Sequence, residues 1–315
     1  MTFLLSNAPY HNSSNDQQIT LSSVLSQTSN EINIYVTRLK NDNRELQKKI
    51  KYMISFFTAI ILIYLLIIVF MYFNQRNLLY SPSENNYAND SVEFTFEEVS
   101  IPTPTGISIK GWLHKKDLKQ KKTLVFFHGN AGDLSNRVHK LNLIKNFDIN
   151  FLIVAYRGFS GNEGKPTEKG LYEDAKSTLN WLSKNKITDD KIIIYGESLG
   201  TGVSVEVTQN KKYAGLILES PFTSIVDAAK FYYPYLPVSF ILKDKYESLK
   251  KLKNIKIPIL VMHGKKDRIV PFKMGKRVFE RANEPKYSYF PEEDDHMMEY
   301  NENLLRVLNK FLNSI

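Results

Sequence analysis

Apolar positions divide this chain into three regimes. Residues 1–20 are rich in Asn, Ser and Gln with few apolar positions, which predicts a disordered tail. Residues 21–51 read as a helix: Leu25, Ile32, Leu39, Leu46 and Met53 recur every seven residues, and Val36, Asn43 and Ile50 fill the alternate seam. β-branched residues on either side of a lone Asn at one seam, with Leu at the other, favour a parallel two-stranded coil. The same stripe also suits a helix lying on a membrane with its lysines toward headgroups. Residues 52–73 then run for 22 positions without a charge. As a helix this stretch is roughly 33 Å long, enough to cross the hydrocarbon core of a bilayer. Asn74, Gln75 and Arg76 follow it where a signal peptide would carry small residues, so a retained transmembrane anchor is expected.

Past a polar linker at 74–93, short β-rich runs alternate with helical patterns. Strands are expected at 94–101, 107–114, 123–127, 151–155, 191–195, 215–218, 257–262 and 287–290, and helices at 134–145, 167–184, 199–209, 273–282 and 298–312. Leu124-Val125-Phe126-Phe127, Leu152-Ile153-Val154 and Ile192-Ile193-Ile194 are apolar throughout, the mark of strands covered on both faces in a parallel sheet. Two antiparallel strands leading into βα units predict one doubly wound α/β domain over 94–315. Segment 221–256 is too long for a simple connection and is rich in aromatics, which predicts a cap with Tyr233 and Tyr235 lining an acyl pocket.

Charge and composition narrow the classes. The net charge of +9 is spread thinly, apart from a lysine-rich run at 243–256 that reads as a solvated helix face or, alternatively, as a contact with anionic lipid or an acidic partner, so nucleic acid is not an expected partner. With no cysteine the chain has no disulfide, no thiolate metal site and no Cys nucleophile. Before the apolar span stand Lys40, Arg44, Lys48, Lys49 and Lys51; after it stands Arg76 and no further cation until Lys110. That bias predicts a cytoplasmic N-terminus, with the α/β domain on the other side of the membrane: periplasmic in a bacterium, lumenal or external in a eukaryote.

Chemistry in such sheets gathers at the carboxyl ends of the strands. There Gly196-Glu197-Ser198-Leu199-Gly200 stands between a strand and a helix, a G-x-S-x-G nucleophile elbow. A serine needs a base that is itself oriented by a carboxylate. Only His263 and His296 follow Ser198; His263 ends a strand and reads as structural, so His296 is the expected base. Asp267, after the penultimate strand, is the expected acid. Oxyanion donors are expected from the backbone amides of Leu199, at a helix N-terminus, and Asn130, in the small-residue loop His128-Gly129-Asn130-Ala131-Gly132-Asp133. His128 itself reads as a buried strut. Gly196-x-x-x-Gly200-x-Gly202 with Tyr246-x-x-x-Lys250 also imitates a short-chain dehydrogenase, but that fingerprint belongs in a first βα unit and here follows five strands.

In these motifs, with Tyr156-Arg157-Gly158-Phe159-Ser160-Gly161, Glu219-Ser220-Pro221-Phe222-Thr223-Ser224 and His263-Gly264-Lys265-Lys266-Asp267, the chain resembles the α/β-hydrolase superfamily, and within it the bud emergence 46-like branch with its membrane-anchored members. The resemblance covers about residues 76–300. It implies an α/β-hydrolase fold, a mostly parallel eight-stranded sheet with helices on both faces behind a single transmembrane helix, and a Ser198-Asp267-His296 hydrolase. One departure is Asp294-Asp295-His296-Met297, where the family usually has Gly-Gly-His-Asn. The expected activity is cleavage of carboxylic ester or thioester bonds through an acyl-enzyme, without a metal or cofactor. The alternatives are a serine peptidase on the same residues and a non-catalytic anchored interaction protein. Expected partners are the lipid bilayer at 52–73, an acyl ester or thioester substrate, and a second copy of the chain through 25–53.

Overall fold

The computed structural model describes residues 21–83 and 91–315, so the expected tail at 1–20 lies outside the described residues. The chain divides into two compact units, 1–67 and 68–315. Helix α1 (Leu21–Leu79) is a single α-helix of 59 residues. Its most apolar 18-residue window has a mean hydropathy of 2.9, and by length and composition it can cross a membrane. Residues 21–67 are exposed throughout. A helix that presents Ile, Leu and Phe on every face is stable only in an apolar surround.

The polar stretch at 74–93, expected as a linker, is structured where it is described. Residues 74–79 complete α1 because tertiary contacts hold its end. Gln75 is buried, Arg76 pairs with Asp244 (Nε to Oδ2 2.8 Å), and the buried Tyr80 shares a hydrogen bond of 2.9 Å with the Tyr246 hydroxyl. Strand β1 (Ser81–Pro82) follows directly.

β2 (Glu97–Pro102) and β3 (Ser108–His114) form an antiparallel pair, and β4 (Thr123–Phe127) opens the parallel part. β5 (Ala131–Gly132) is two residues long and pairs with β1 outside the main sheet. α2 (Val138–Ile144), β6 (Asn150–Val154), α3 (Glu168–Lys184), β7 (Ile192–Glu197), α4 (Leu199–Thr208) and β8 (Gly215–Glu219) continue the alternation. The cap then contains α5 (Ile225–Tyr232), α6 (Val238–Ile241) and α7 (Ser248–Lys251), the last being all the α-helix in the lysine-rich run. β9 (Ile259–Met262), α8 (Phe272–Arg281), β10 (Lys286–Tyr289) and α9 (Glu302–Ser314) complete the domain.

The main sheet has eight strands in the order β10-β9-β8-β7-β4-β6-β3-β2, with β3 antiparallel to β6 and every pair from β6 to β10 parallel. The predicted doubly wound sheet is therefore present. β4, β6, β7 and β8 are buried at every position. Each Ile of β7 contributes roughly 2 kcal/mol by leaving water, and truncating one to Ala would cost about 2–5 kcal/mol with its cavity. These central strands form the rigid floor that fixes where their carboxyl ends stand.

Candidate active site

β7 delivers Ser198 onto a sharp turn into α4, with φ 50° and ψ −115°. A non-glycine residue holds this left-handed conformation only when its surroundings impose it, and here the turn packs too tightly to relax. A Cβ on Gly200 would stand 1.9 Å from the Phe127 carbonyl oxygen, and one on Gly196 2.6 Å from that of Gly200. The glycines at these two positions let the turn close against β4 and push the serine out at its tip.

The structure brings Ser198, His296 and Asp267 together. His296 Nε2 lies 2.9 Å from Ser198 Oγ, and its Nδ1 lies 2.7 Å from Asp267 Oδ2. An ionised carboxylate only accepts, so the ring proton belongs on Nδ1 and Nε2 is left to accept the serine hydroxyl. Asp267 Oδ1 accepts the amides of Ile269 (2.8 Å) and Val270 (2.7 Å). Burial opposes its ionisation, but the hydrogen bonds from His263 and His296 win and hold its pKa well below the usual carboxylate range. His263, expected to be structural, is fully buried: its Nε2 lies 2.9 Å from the Val270 carbonyl oxygen and 3.0 Å from Asp267 Oδ2. It braces the same carboxylate oxygen that His296 reaches. The acidic loop before His296 closes on itself, Asp295 accepting the Met297 amide and Asp294 the Glu299 amide, both at 3.0 Å.

The loop after β4 lies beside Ser198, since a Cβ on Gly129 would stand 3.5 Å from the serine Cβ. Among the described residues the amides of Asn130 and Leu199 have no intramolecular acceptor, which leaves both free for a ligand oxygen. The rest of Asn130 is committed to the chain emerging from α1. Its carbonyl accepts from Ser81 N (2.9 Å), its side chain donates to the Leu79 carbonyl (2.7 Å), and Ser83 N donates to the Gly132 carbonyl (3.1 Å). His128 is fully buried, with Nδ1 2.8 Å from the Gly129 carbonyl oxygen and its ring 4.4 Å from that of Tyr156. Burial, assisted by the Arg137 charge, pushes its pKa down to about 3, so it is a neutral strut.

Beneath the serine lies a buried charge network that the sequence reading missed. Glu197 and Glu219 end adjacent parallel strands in register, and Lys140 Nζ stands 2.7 Å from a carboxylate oxygen of each. Arg137 donates to Glu197 (Nη2, 2.7 Å) and, through Nη1, to the Ala131 carbonyl (2.8 Å), while Glu197 accepts the Gly129 amide at 3.2 Å. Burial works against ionised Glu197, but Lys140 and Arg137 outweigh it and hold its pKa below the carboxylate range. One network thus ties the loop bearing Asn130 to the turn bearing Ser198. The available signal was two glutamates closing otherwise apolar strands. Tyr233 and Tyr235 are 44% and 70% exposed on the cap, whereas the Tyr232 hydroxyl reaches the loop of the acid and donates to the Ile269 carbonyl at 3.0 Å.

Residues 141–313 match the profile of the prolyl oligopeptidase family. An uncharacterized protein of Mycobacterium tuberculosis is 35% identical over 224 residues, 70% of this chain and 79% of its own. Protein bem46 of Schizosaccharomyces pombe is 30% identical over 220 residues, 64% of this chain and 73% of its own. The lysophosphatidylserine lipase ABHD12 of Danio rerio is 31% identical over 195 residues, 56% of this chain and 51% of its own. Among solved structures, an esterase of Pyrococcus furiosus matches with a TM-score of 0.61 at 18% identity, over 75% of this chain and 98% of that one, a likeness of fold.

Proposed function

The chain belongs to the α/β-hydrolase superfamily, in its bem46-like branch, and on that premise we propose that it is a membrane-anchored serine hydrolase that cleaves carboxylic ester or thioester bonds through an acyl-enzyme on Ser198. The observation that carries this reading is the continuous hydrogen-bonded line from Ser198 Oγ through His296 to Asp267, at 2.9 and 2.7 Å. Ser198 Oγ attacks the acyl carbon as its proton passes to His296 Nε2, and Asp267 stabilises the imidazolium. The carbonyl oxygen, now negative, takes hydrogen bonds from the amides of Asn130 and Leu199, each worth roughly 3–4 kcal/mol by the cost of removing such a donor elsewhere. His296 returns the proton to the leaving alcohol or thiol. Water then attacks the acyl-serine by the same route, releasing the carboxylic acid and restoring Ser198. No step calls for a metal or cofactor.

The lipase among the relatives supports an ester substrate. The prolyl oligopeptidase match over more than half the chain favours a second reading, peptide-bond cleavage by the same three residues. Turnover of p-nitrophenyl acyl esters against fluorogenic aminoacyl amides separates the two. The first reading expects esters to be the better substrates by kcat/KM, with that activity lost in Ser198→Ala; amides preferred over esters would transfer the assignment to a peptidase. The cation bias around 52–73 supports a cytoplasmic N-terminus with the hydrolase on the opposite side.

A further inference from the structure

The cap carries an outer face unlike the rest of the domain. Residues 228–243 contain no Asp or Glu, yet they hold Phe231, Tyr233, Tyr235 and Phe240 at 49%, 44%, 70% and 90% exposure, with exposed Lys230 and Lys243 on either side. Single exposed rings are ordinary on a protein in water; a cluster of them rimmed by cations marks a contact surface. In α6 the turn is fixed by Val238, which is buried, and this leaves Phe240 directed away from the domain.

The same segment grips the end of α1. Gln75 Nε2 donates to the Ile241 carbonyl (3.0 Å), and the Lys243 amide donates back to Gln75 Oε1 (2.7 Å). Lys243 Nζ lies 4.1 Å from the centre of the Tyr72 ring. These residues all belong to the unit 68–315, within which the uncharged span ends at Phe73. Gln75 is only about 3 Å further along the helix axis. Ile241 and its neighbour Phe240 therefore stand where hydrocarbon gives way to headgroups, a layer roughly 5–8 Å thick on each side of a bilayer. Tyr, Phe and Lys are the side chains that suit this layer, rings at the boundary and ammonium groups toward anionic lipid.

We propose that the exposed aromatic face of the cap rests in the interfacial layer of the membrane that α1 spans, with Phe240 and Tyr235 inserted among the lipids and Lys230 and Lys243 facing anionic headgroups. This rests on the membrane-anchor reading. It makes the cap a second membrane contact, and it opens the cap, which touches the loop of Asp267 through the Tyr232 hydroxyl, toward substrates carried in the bilayer.

Because the chain has no cysteine, one site can be labelled at a time. The full chain carrying Phe240→Cys, Tyr235→Cys or, as a reference in the exposed loop that enters the amino end of β8, Lys212→Cys is labelled with a nitroxide and reconstituted in vesicles of phosphatidylcholine and phosphatidylglycerol. Collisions with oxygen, which concentrates in lipid, are compared with collisions with a water-soluble nickel chelate. Oxygen should dominate at 240 and 235, and the chelate at 212. A protein that stays in the vesicles under alkaline wash while 240 and 235 report water overturns the cap contact alone. Labels shielded from both probes would mean a protein partner covers this face, which also overturns it. A protein that washes off contradicts the anchor itself.

Discussion

Buried His128 makes the fold sensitive to acid. Its pKa is near 6.5 in an unfolded chain and about 3 in the folded one, so between these values the unfolded chain binds a proton that the folded chain does not. Stability is complete above pH 6.5 and falls as pH drops, by about 1.4 kcal/mol for each pH step across that window. Glu197 and Asp267, both held below the usual carboxylate range, add a further loss once the pH falls under about 4. The midpoint of thermal unfolding is therefore expected to decline already between pH 6.5 and 4.5, before unperturbed carboxylates titrate, and a flat profile there would contradict the strut role. That role was expected from the sequence, where His128 directly follows a strand that is apolar throughout. The partnership of Arg137, Lys140, Glu197 and Glu219 was not, since residues 57 to 79 positions apart meet only through the order of the strands.

At the scale of elements, the central strands of the main sheet were legible because strands covered on both faces must be apolar at every position, as in β4 and β7. The pairing of β1 with β5 was not. Ser81-Pro82 and Ala131-Gly132 have no strand preference of their own, and they pair because α1 ends where Leu79 and Ser81 can hydrogen bond with Asn130. The cap helices were hidden by Pro234 and Pro237, which break the periodicity into short turns. The β1 strap has a testable consequence. A chain beginning at residue 68 keeps Arg76 with Asp244, Tyr80 with Tyr246, and β1 with β5. One beginning at 92 loses all three, including roughly 2 kcal/mol from the burial of Tyr80 alone. The shorter chain should unfold at lower urea and, if it folds, show a lower kcat on p-nitrophenyl esters because Asn130 is no longer held from that side. Equal stability and kcat in the two chains would rule the strap out.

At the scale of the molecule, α1 is a continuous helix through 25–53, where the seven-residue pattern places Asn43 on the seam and Asn41 on the outer face. If two copies pair there as a parallel coil, cysteine introduced as Asn43→Cys should crosslink in membranes and cysteine introduced as Asn41→Cys should not; equal crosslinking, or none at either, contradicts the pairing. Protease added to spheroplasts, or to intact cells where the domain faces the exterior, should remove the hydrolase and spare residues 1–51, and the reverse pattern would contradict the orientation. Anchor, strap and cap all serve one claim, that the serine at the tip of the β7 turn is the group that becomes acylated. The most direct measurement treats the full chain in its membrane with a fluorophosphonate and locates the adduct by peptide mass spectrometry. The account predicts one adduct on Ser198, lost in Ser198→Ala and strongly reduced in His296→Ala while the unfolding transition persists. A fully folded chain that stays unlabelled at Ser198, or labelling that survives Ser198→Ala, would contradict it.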